Sequence, residues 1–210
     1  MDTAEQARAY AAADFTEPHE AFVARFREPF PEFRSGRVLD LGCGTADVTV
    51  RFARAYPEAR VHGVDGAPAM LDEGRKLVRA TGFGDRVSLE LVRLPNPTLA
   101  GASYDAVISN SLLHHLADAR VLWTTAAATA RKGAPVFVMD LCRPPSTDTA
   151  QHLVDAYAAE ESPVLRDDFY RSLCAAYTPE EVRAQLVDAG LERFRVGRAG
   201  DRHLVVWGTS

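Results

Sequence analysis

Cysteine is scarce in this chain. Cys43, Cys142 and Cys174 stand far apart, odd in number and without a CxxC pair, so neither a disulfide framework nor a zinc knuckle is indicated, and a reducing compartment fits. Long apolar runs are also lacking: no segment approaches the roughly 18 residues a membrane helix needs. The opening MDTAEQARAY is polar and acidic where a secretory signal would be basic and then apolar. A cytoplasmic protein with no membrane partner is expected. Nor is positive charge clustered: the 24 Lys and Arg residues are spread along the sequence and the formal net charge is -5. Nucleic-acid binding draws most of its affinity from gathered positive charge, so it is disfavoured. No HxxxH or HExxH spacing occurs, and no metal site is expected. No internal repeat is visible, and nothing in the sequence sets an oligomeric state.

The 210 residues, 47% hydrophobic and 25% charged, suit one domain over 1–210 with a core of its own. From residue 36 to 143, short apolar or β-branched runs (37–41, 60–65, 86–91, 104–109 and 134–140) alternate with helical patterns (46–56, 68–80 and 118–132). That alternation marks an α/β fold, a parallel sheet with helices on both faces. The pattern changes at 144–177, which reads as an inserted helical segment with helices at 146–160 and 167–176. Residues 178–210 begin with Thr178-Pro179-Glu180-Glu181, an N-cap threonine, a proline at the first helical position and a glutamate placed for a capping box. The helix ends at Gly190. Two strands follow, 191–198 and 203–207, joined by a turn at Gly200-Asp201, and form an antiparallel hairpin. The leader, 1–35, is helical in pattern, with Phe22, Val23 and Phe26 at helical spacing. It precedes the first strand and is either a lid or a cover for a sheet edge.

The segment VLDLGCGTAD, Val38 to Asp47, carries the most information. An apolar strand runs into Gly42-Cys43-Gly44 and then a helix, and glycines there let a ligand approach main-chain N–H groups that a β-carbon would block. The next strand ends in Asp65, where a carboxylate can accept from both hydroxyls of a ribose. A dinucleotide fingerprint would place a third glycine where Asp47 stands. Asp47 and Asp40 would repel a pyrophosphate and suit a ligand that carries an ammonium and a sulfonium. Cys43 reads as a small filler of the turn rather than a nucleophile.

D-L-G-C-G-T, the Val64-Asp65 strand end and I-S-N-S-L-L-H-H-L, in this order and spacing, resemble the class I S-adenosylmethionine-dependent methyltransferases, of the small-molecule type. The resemblance runs by motif from about Arg37 to Asp140 and by element order beyond. It implies a Rossmann-like, seven-stranded, mostly parallel sheet closed by the hairpin. It also implies S-adenosyl-L-methionine as cofactor and S-adenosyl-L-homocysteine as product. Asp40 and Gly42, Cys43 and Gly44 would hold the methionine end, and Asp65 with Gly66 the ribose. Met70 would lie near the adenine or serve as plain core. Where many members place an adenine-binding aspartate, this chain has Leu91-Val92-Arg93-Leu94-Pro95. Arginine accepts no hydrogen bond, so adenine recognition falls to main chain near Arg93 and Leu94, or to Asn96.

Ligands of open parallel sheets sit beyond the carboxyl ends of the strands. Ser109, Asn110, Ser111, His114 and His115 after the fourth strand, and Asp140 and Arg143 after the fifth, are therefore expected to converge at the reacting end. His114 or His115 would serve as base and Asp140 as its partner or as a group that orients the acceptor. The bland alternative packs one histidine on the cofactor and uses the other to cap the helix beginning near Asp118. Tyr157, Arg166, Asp168, Phe169, Tyr170 and Tyr177 of the insertion are candidates to roof a pocket, although Tyr157 and Phe169 read better as the insertion's own core. Tyr10, Phe15 and His19 of the leader are candidates for the opposite wall. A small-molecule O or N acceptor is the leading reading. A protein or RNA methyltransferase, and a nicotinamide-dependent oxidoreductase or non-catalytic nucleotide-binding module, are the competing classes.

Overall fold

The computed structural model describes every residue except 1, 2, 100 and 102. Seven strands form one sheet in the order β3-β2-β1-β4-β5-β7-β6. They are β1 (Ser35–Leu41), β2 (Glu58–Asp65), β3 (Val87–Leu91), β4 (Ala106–Asn110), β5 (Pro135–Leu141), β6 (Arg195–Ala199) and β7 (His203–Thr209). β1 to β5 are parallel, whereas β7 runs antiparallel between β5 and β6. The chain therefore reverses its direction of travel across the sheet between β1 and β4.

Side chains of successive strand residues point to opposite faces, and β1 shows the consequence. Val38 packs into a cluster with Phe22, Phe26, Phe52 and Phe137, under helices α2 (Thr16–Arg27) and α3 (Asp47–Ala55). Leu39 packs into another with Leu122, Trp123 and Leu186, under α5 (Arg120–Thr129) and α8 (Pro179–Asp188). A strand covered on both faces is apolar at every position that packs, which is why the central strands read as near-continuous hydrophobic runs. The expected α/β sheet with helices on both faces and a closing hairpin is the observed fold.

Boundaries shift for local reasons. The α5 helix begins at Arg120 after Ala119, an N-cap without a side-chain cap, and Asp118 accepts from the Arg120 N–H at 3.0 Å. Neither neighbouring histidine performs that task. α4 (Pro68–Thr81) stops at Gly82, whose φ of +75° only glycine adopts readily. The α8 capping box is present, with Thr178 Oγ1 accepting from Glu181 N–H and the Glu181 carboxylate accepting from Thr178 N–H. β6 is shorter than expected, starting at Arg195, since the chain after Gly190 first turns through Leu191–Phe194.

Two regions depart further from expectation. The leader is two helices, α1 (Ala4–Ala12) and α2, and their duties divide. α2 buries Phe22, Val23 and Phe26 against the sheet face rather than an edge, while α1 buries only Ala7. The insertion is α6 (Thr147–Tyr157) and α7 (Pro163–Ala175), packed on a small core of Leu153, Val154 and Leu173 with Phe169 and Tyr170 alongside. Tyr157 does not join that core. It is 48% exposed, donates to Asp201 at 2.6 Å and lies beneath the Arg202 guanidinium. The two ends of the insertion meet where Cys142 bridges Tyr177 and Arg143 N–H donates to Tyr177 O at 3.1 Å.

Candidate active site

A cavity of about 390 Å³ opens at the carboxyl ends of β1, β2 and β4, beside the point where the strand order reverses. Gly42 and Gly44, at φ of +72° and +53°, carry the chain from β1 into α3 around its floor. A β-carbon at Gly42 would lie 2.8 Å from Leu112, and one at Gly44 would lie 3.3 Å from the end of Met70. The glycines therefore keep the loop, the β4 turn and α4 in close approach. Cys43 fills the turn as a small apolar group, its thiol held protonated by burial and by Asp40. Across the cavity Ser111 takes a left-handed conformation, φ +55°, unusual for a residue with a side chain and common at functional sites.

Carboxylates dominate the wall. Asp40 is buried at the end of β1 with Thr49 Oγ1 donating to it at 2.6 Å. Burial, opposed by that hydrogen bond and aided by the charge of Asp65, pushes its pKa up to about 7. Asp65 accepts from Gly44 N–H at 2.9 Å and Ala67 N–H at 2.8 Å, which fixes its orientation across two loops. Burial raises its pKa against those two donors. Asp47 is answered differently: burial opposes its charge, but His19 at 2.6 Å and Arg51 at 2.8 Å outweigh that and lower its pKa. A buried carboxyl such as Asp40 at the cavity wall is the acceptor that a positively charged nucleoside needs. The residues present fit that ligand better than a phosphate.

The two neighbouring histidines part company. They sit in a short 3-10 turn, Leu113–His115, with ring centroids 4.0 Å apart. His114 Nδ1 bonds Asp140 Oδ1 at 2.6 Å, both side chains almost wholly buried. Asp140 accepts in addition from Leu113 N–H at 2.7 Å and Leu141 N–H at 2.8 Å. Neither His114 nor Asp140 lines the cavity, whereas His115 does. His115 is an exposed residue at the cavity, and desolvation of its ring, then the charge of His114, lowers its pKa, so it is a free base at neutral pH.

Every cofactor-side residue expected from the sequence (Asp40, Gly42, Cys43, Gly44, Asp65, Gly66, Met70, Arg93, Leu94, Asn110 and Ser111) lies in the wall. Several other expectations are corrected. Ser109 is buried, donating to Leu41 O at 2.7 Å. Arg143 pairs with Glu181 and stays outside the cavity. The Asn96 side chain accepts from Thr98, at 2.9 Å from N–H and 2.8 Å from Oγ1, and does not reach the cavity. No insertion residue roofs it either. The cover comes from the leader, with Tyr10 and His19 in the wall and Phe15 stacked on both from behind. Desolvation of the half-buried ring first, then Asp47, Asp140 and Asp65, push the Tyr10 phenol up to about 12, so it is un-ionised. Among the described residues no cluster of three or more His, Cys, Asp or Glu suits a metal, and no helix is long and apolar enough to cross a membrane.

Comparison with known proteins gives the same answer as the geometry. The family described as a methyltransferase domain matches residues 38–134. The chain is an S-adenosylmethionine-dependent methyltransferase, similar to the class I enzymes. It is 26% identical to an uncharacterized methyltransferase of Mycobacterium tuberculosis over 81% of this chain and 85% of that one. It is 34% identical to a ubiquinone biosynthesis O-methyltransferase of Sinorhizobium medicae over 74% of this chain and 60% of the relative. Its fold superposes on a SAM-dependent methyltransferase from Aquifex aeolicus with a TM-score of 0.71, at 16% identity, over 99% of this chain and 98% of that one. S-adenosylmethionine is accordingly the cofactor of this methyltransferase, and a nicotinamide-dependent oxidoreductase is set aside.

Proposed function

We propose that this methyltransferase acts on an oxygen or nitrogen atom of a small molecule, and that His115 is the residue that meets the acceptor. The observation that carries the reading is the division of labour between the two histidines: His115 lines the cavity as a free base, while His114 behind it is tied to Asp140. When bound, the cofactor supplies a methyl group on a positively charged sulfur, open to in-line displacement. The protein's task is then to align the acceptor lone pair and receive its proton. His115 Nε2 or Nδ1 takes the hydrogen bond of the acceptor's hydroxyl or amine, and the Asp140–His114 pair holds the turn that aims it.

On the cofactor side, Asp40 answers positive charge at the methionine end and Asp65 the ribose hydroxyls. Met70, Arg93 and Leu94 border the adenine, whose polar edge is left to main-chain groups of that segment. Asn110 and Ser111 close the cavity between cofactor and acceptor. Tyr10 and His19 cover this space from above, which supports an acceptor small enough to be enclosed and weighs against a protein or RNA strand. The name of the Sinorhizobium relative, an O-methyltransferase of ubiquinone biosynthesis, favours a phenol-like hydroxyl. A screen with methyl-labelled S-adenosylmethionine against phenols, enols and amines, run with wild-type protein and His115→Ala, tests the reading. Transfer to a small acceptor that survives the substitution undiminished overturns the role of His115, and transfer only to macromolecules overturns the acceptor class.

A further inference from the structure

The leader contributes a residue to the cofactor site itself. This inference rests on the methyl-donor reading and goes beyond it by naming the partner of one ligand group. S-adenosylmethionine carries a sulfonium, an ammonium and a carboxylate. The first two suit the acid-lined wall, but the third is repelled by it, since Asp40, Asp47 and Asp65 all face the same cavity. A carboxylate brought into partly buried surroundings needs a hydrogen-bond donor, preferably a cationic one.

Few side chains that can carry positive charge lie near enough to supply it. Arg93 packs against Gly66 beyond β2, where a β-carbon on that glycine would lie 3.3 Å from it, on the nucleoside side of the cavity. Arg51 is spent outside the cavity, bonding Asp47 at 2.8 Å, Glu20 at 3.0 Å and Thr16 at 3.2 Å. His19 remains, entering from α2 beside the start of α3. It is 6% exposed and lines the cavity. Its Nδ1 is taken by Asp47 at 2.6 Å, while Nε2 has no partner among the described residues and is not sealed from solvent. With Nδ1–H donating to the Asp47 carboxylate, Nε2 donates only from the doubly protonated ring, the form that a carboxylate on each side of the imidazole favours. We propose that His19 Nε2 receives the α-carboxylate of the cofactor's methionine moiety, with Asp47 as the positioning residue behind it.

Binding of two probes separates this from a merely structural role. One is S-adenosylhomocysteine. The other is S-adenosyl-3-thiopropylamine, the same thioether with its ammonium kept and its carboxylate removed. In His19→Asn the amide nitrogen replaces Nδ1 toward Asp47 but nothing replaces Nε2. Calorimetry is expected to show S-adenosylhomocysteine bound about tenfold or more weakly, as loss of a hydrogen bond to a charged group requires, with the decarboxylated probe unchanged. In His19→Gln the amide reaches the place of Nε2, and S-adenosylhomocysteine is expected within about threefold of wild type. Equal loss of both probes in His19→Asn, or loss of neither, overturns the assignment. If wild-type protein binds neither probe, the methyl-donor reading itself falls and takes this assignment with it, a result distinct from the selective one.

Discussion

The rings of His114 and His115 lie 4.0 Å apart, yet only His114 is anchored, through a 2.6 Å bond from Nδ1 to Asp140. Two adjacent residues of one type thereby acquire opposite liabilities. Removing either member of the buried His114–Asp140 pair leaves the other without its partner, so His114→Ala and Asp140→Ala are each expected to lower stability by about 3 kcal/mol. His115→Ala is expected to leave the melting curve almost unmoved and to lower kcat by about 10²- to 10⁴-fold. Denaturant titration together with turnover on a small acceptor checks the pair, and a His115→Ala protein as destabilised as Asp140→Ala would show that the division is wrong.

Asp40 makes ligand-free stability depend on pH in an unusual direction. Its folded pKa, raised by burial to about 7, exceeds the 3.8 of an unperturbed aspartate. Between those values the folded protein binds the proton that the unfolded chain releases, so the Asp40 contribution declines as pH rises from about 4 to about 7. Asp40→Asn, which can still accept from Thr49, is expected to be more stable than wild type by about 1 kcal/mol or more near pH 8, with the gap closing toward pH 4. The same variant is expected to lose affinity for S-adenosylmethionine. Thermal melts across that range, with and without the cofactor, provide the measurement, and a gap that widens on acidification contradicts it.

Gly42→Ala confronts both a left-handed φ of +72° and a β-carbon 2.8 Å from Leu112. Stability is expected to fall by about 1–3 kcal/mol, and S-adenosylhomocysteine affinity to fall with it, because Leu112 and the loop must separate. Gly82→Ala, at a similar φ of +75° but with nothing within 4 Å, pays only the backbone strain. Its expected outcome is a milder destabilisation with cofactor affinity retained, measured by calorimetry on both variants.

α1 buries Ala7 alone and reaches α7 through a 3.3 Å bond from Gln6 to Asp168. So little burial predicts local opening at low free energy. In hydrogen exchange the α1 amides should exchange well before those of α3, which buries Val48, Thr49, Val50, Phe52 and Ala53. S-adenosylhomocysteine should slow the α1 amides. Identical protection of α1 and α3 without ligand would argue for a permanently closed leader.

The β1–α3 glycine turn, the acid ending β2 and the capping box of α8 were legible because each is a local pattern whose spacing alone sets its geometry. The roles of His114 and His115 were not. They depend on how the left-handed Ser111 and the following 3-10 turn rotate two neighbours, and no periodicity records that rotation. Likewise the apolar face of α2 announces a helix, but only tertiary packing shows His19 reaching Asp47, 28 residues away. The aromatics of the insertion mislead for a related reason. Tyr157 has the composition of a pocket wall or a core residue, yet it stands at the surface between Asp201 and Arg202.

The Cys142–Tyr177 bridge joins the chain where the insertion leaves β5 to the chain where it returns ahead of α8. The length looped out there is thus uncoupled from strand register, because the two stumps are already stitched together, although Leu141 of β5 shares the insertion's core and needs an apolar cover. That makes 143–176 a replaceable cassette: a tight linker or a foreign helical hairpin spliced across this seam should leave strand register intact, giving chimaeras a defined place to be cut.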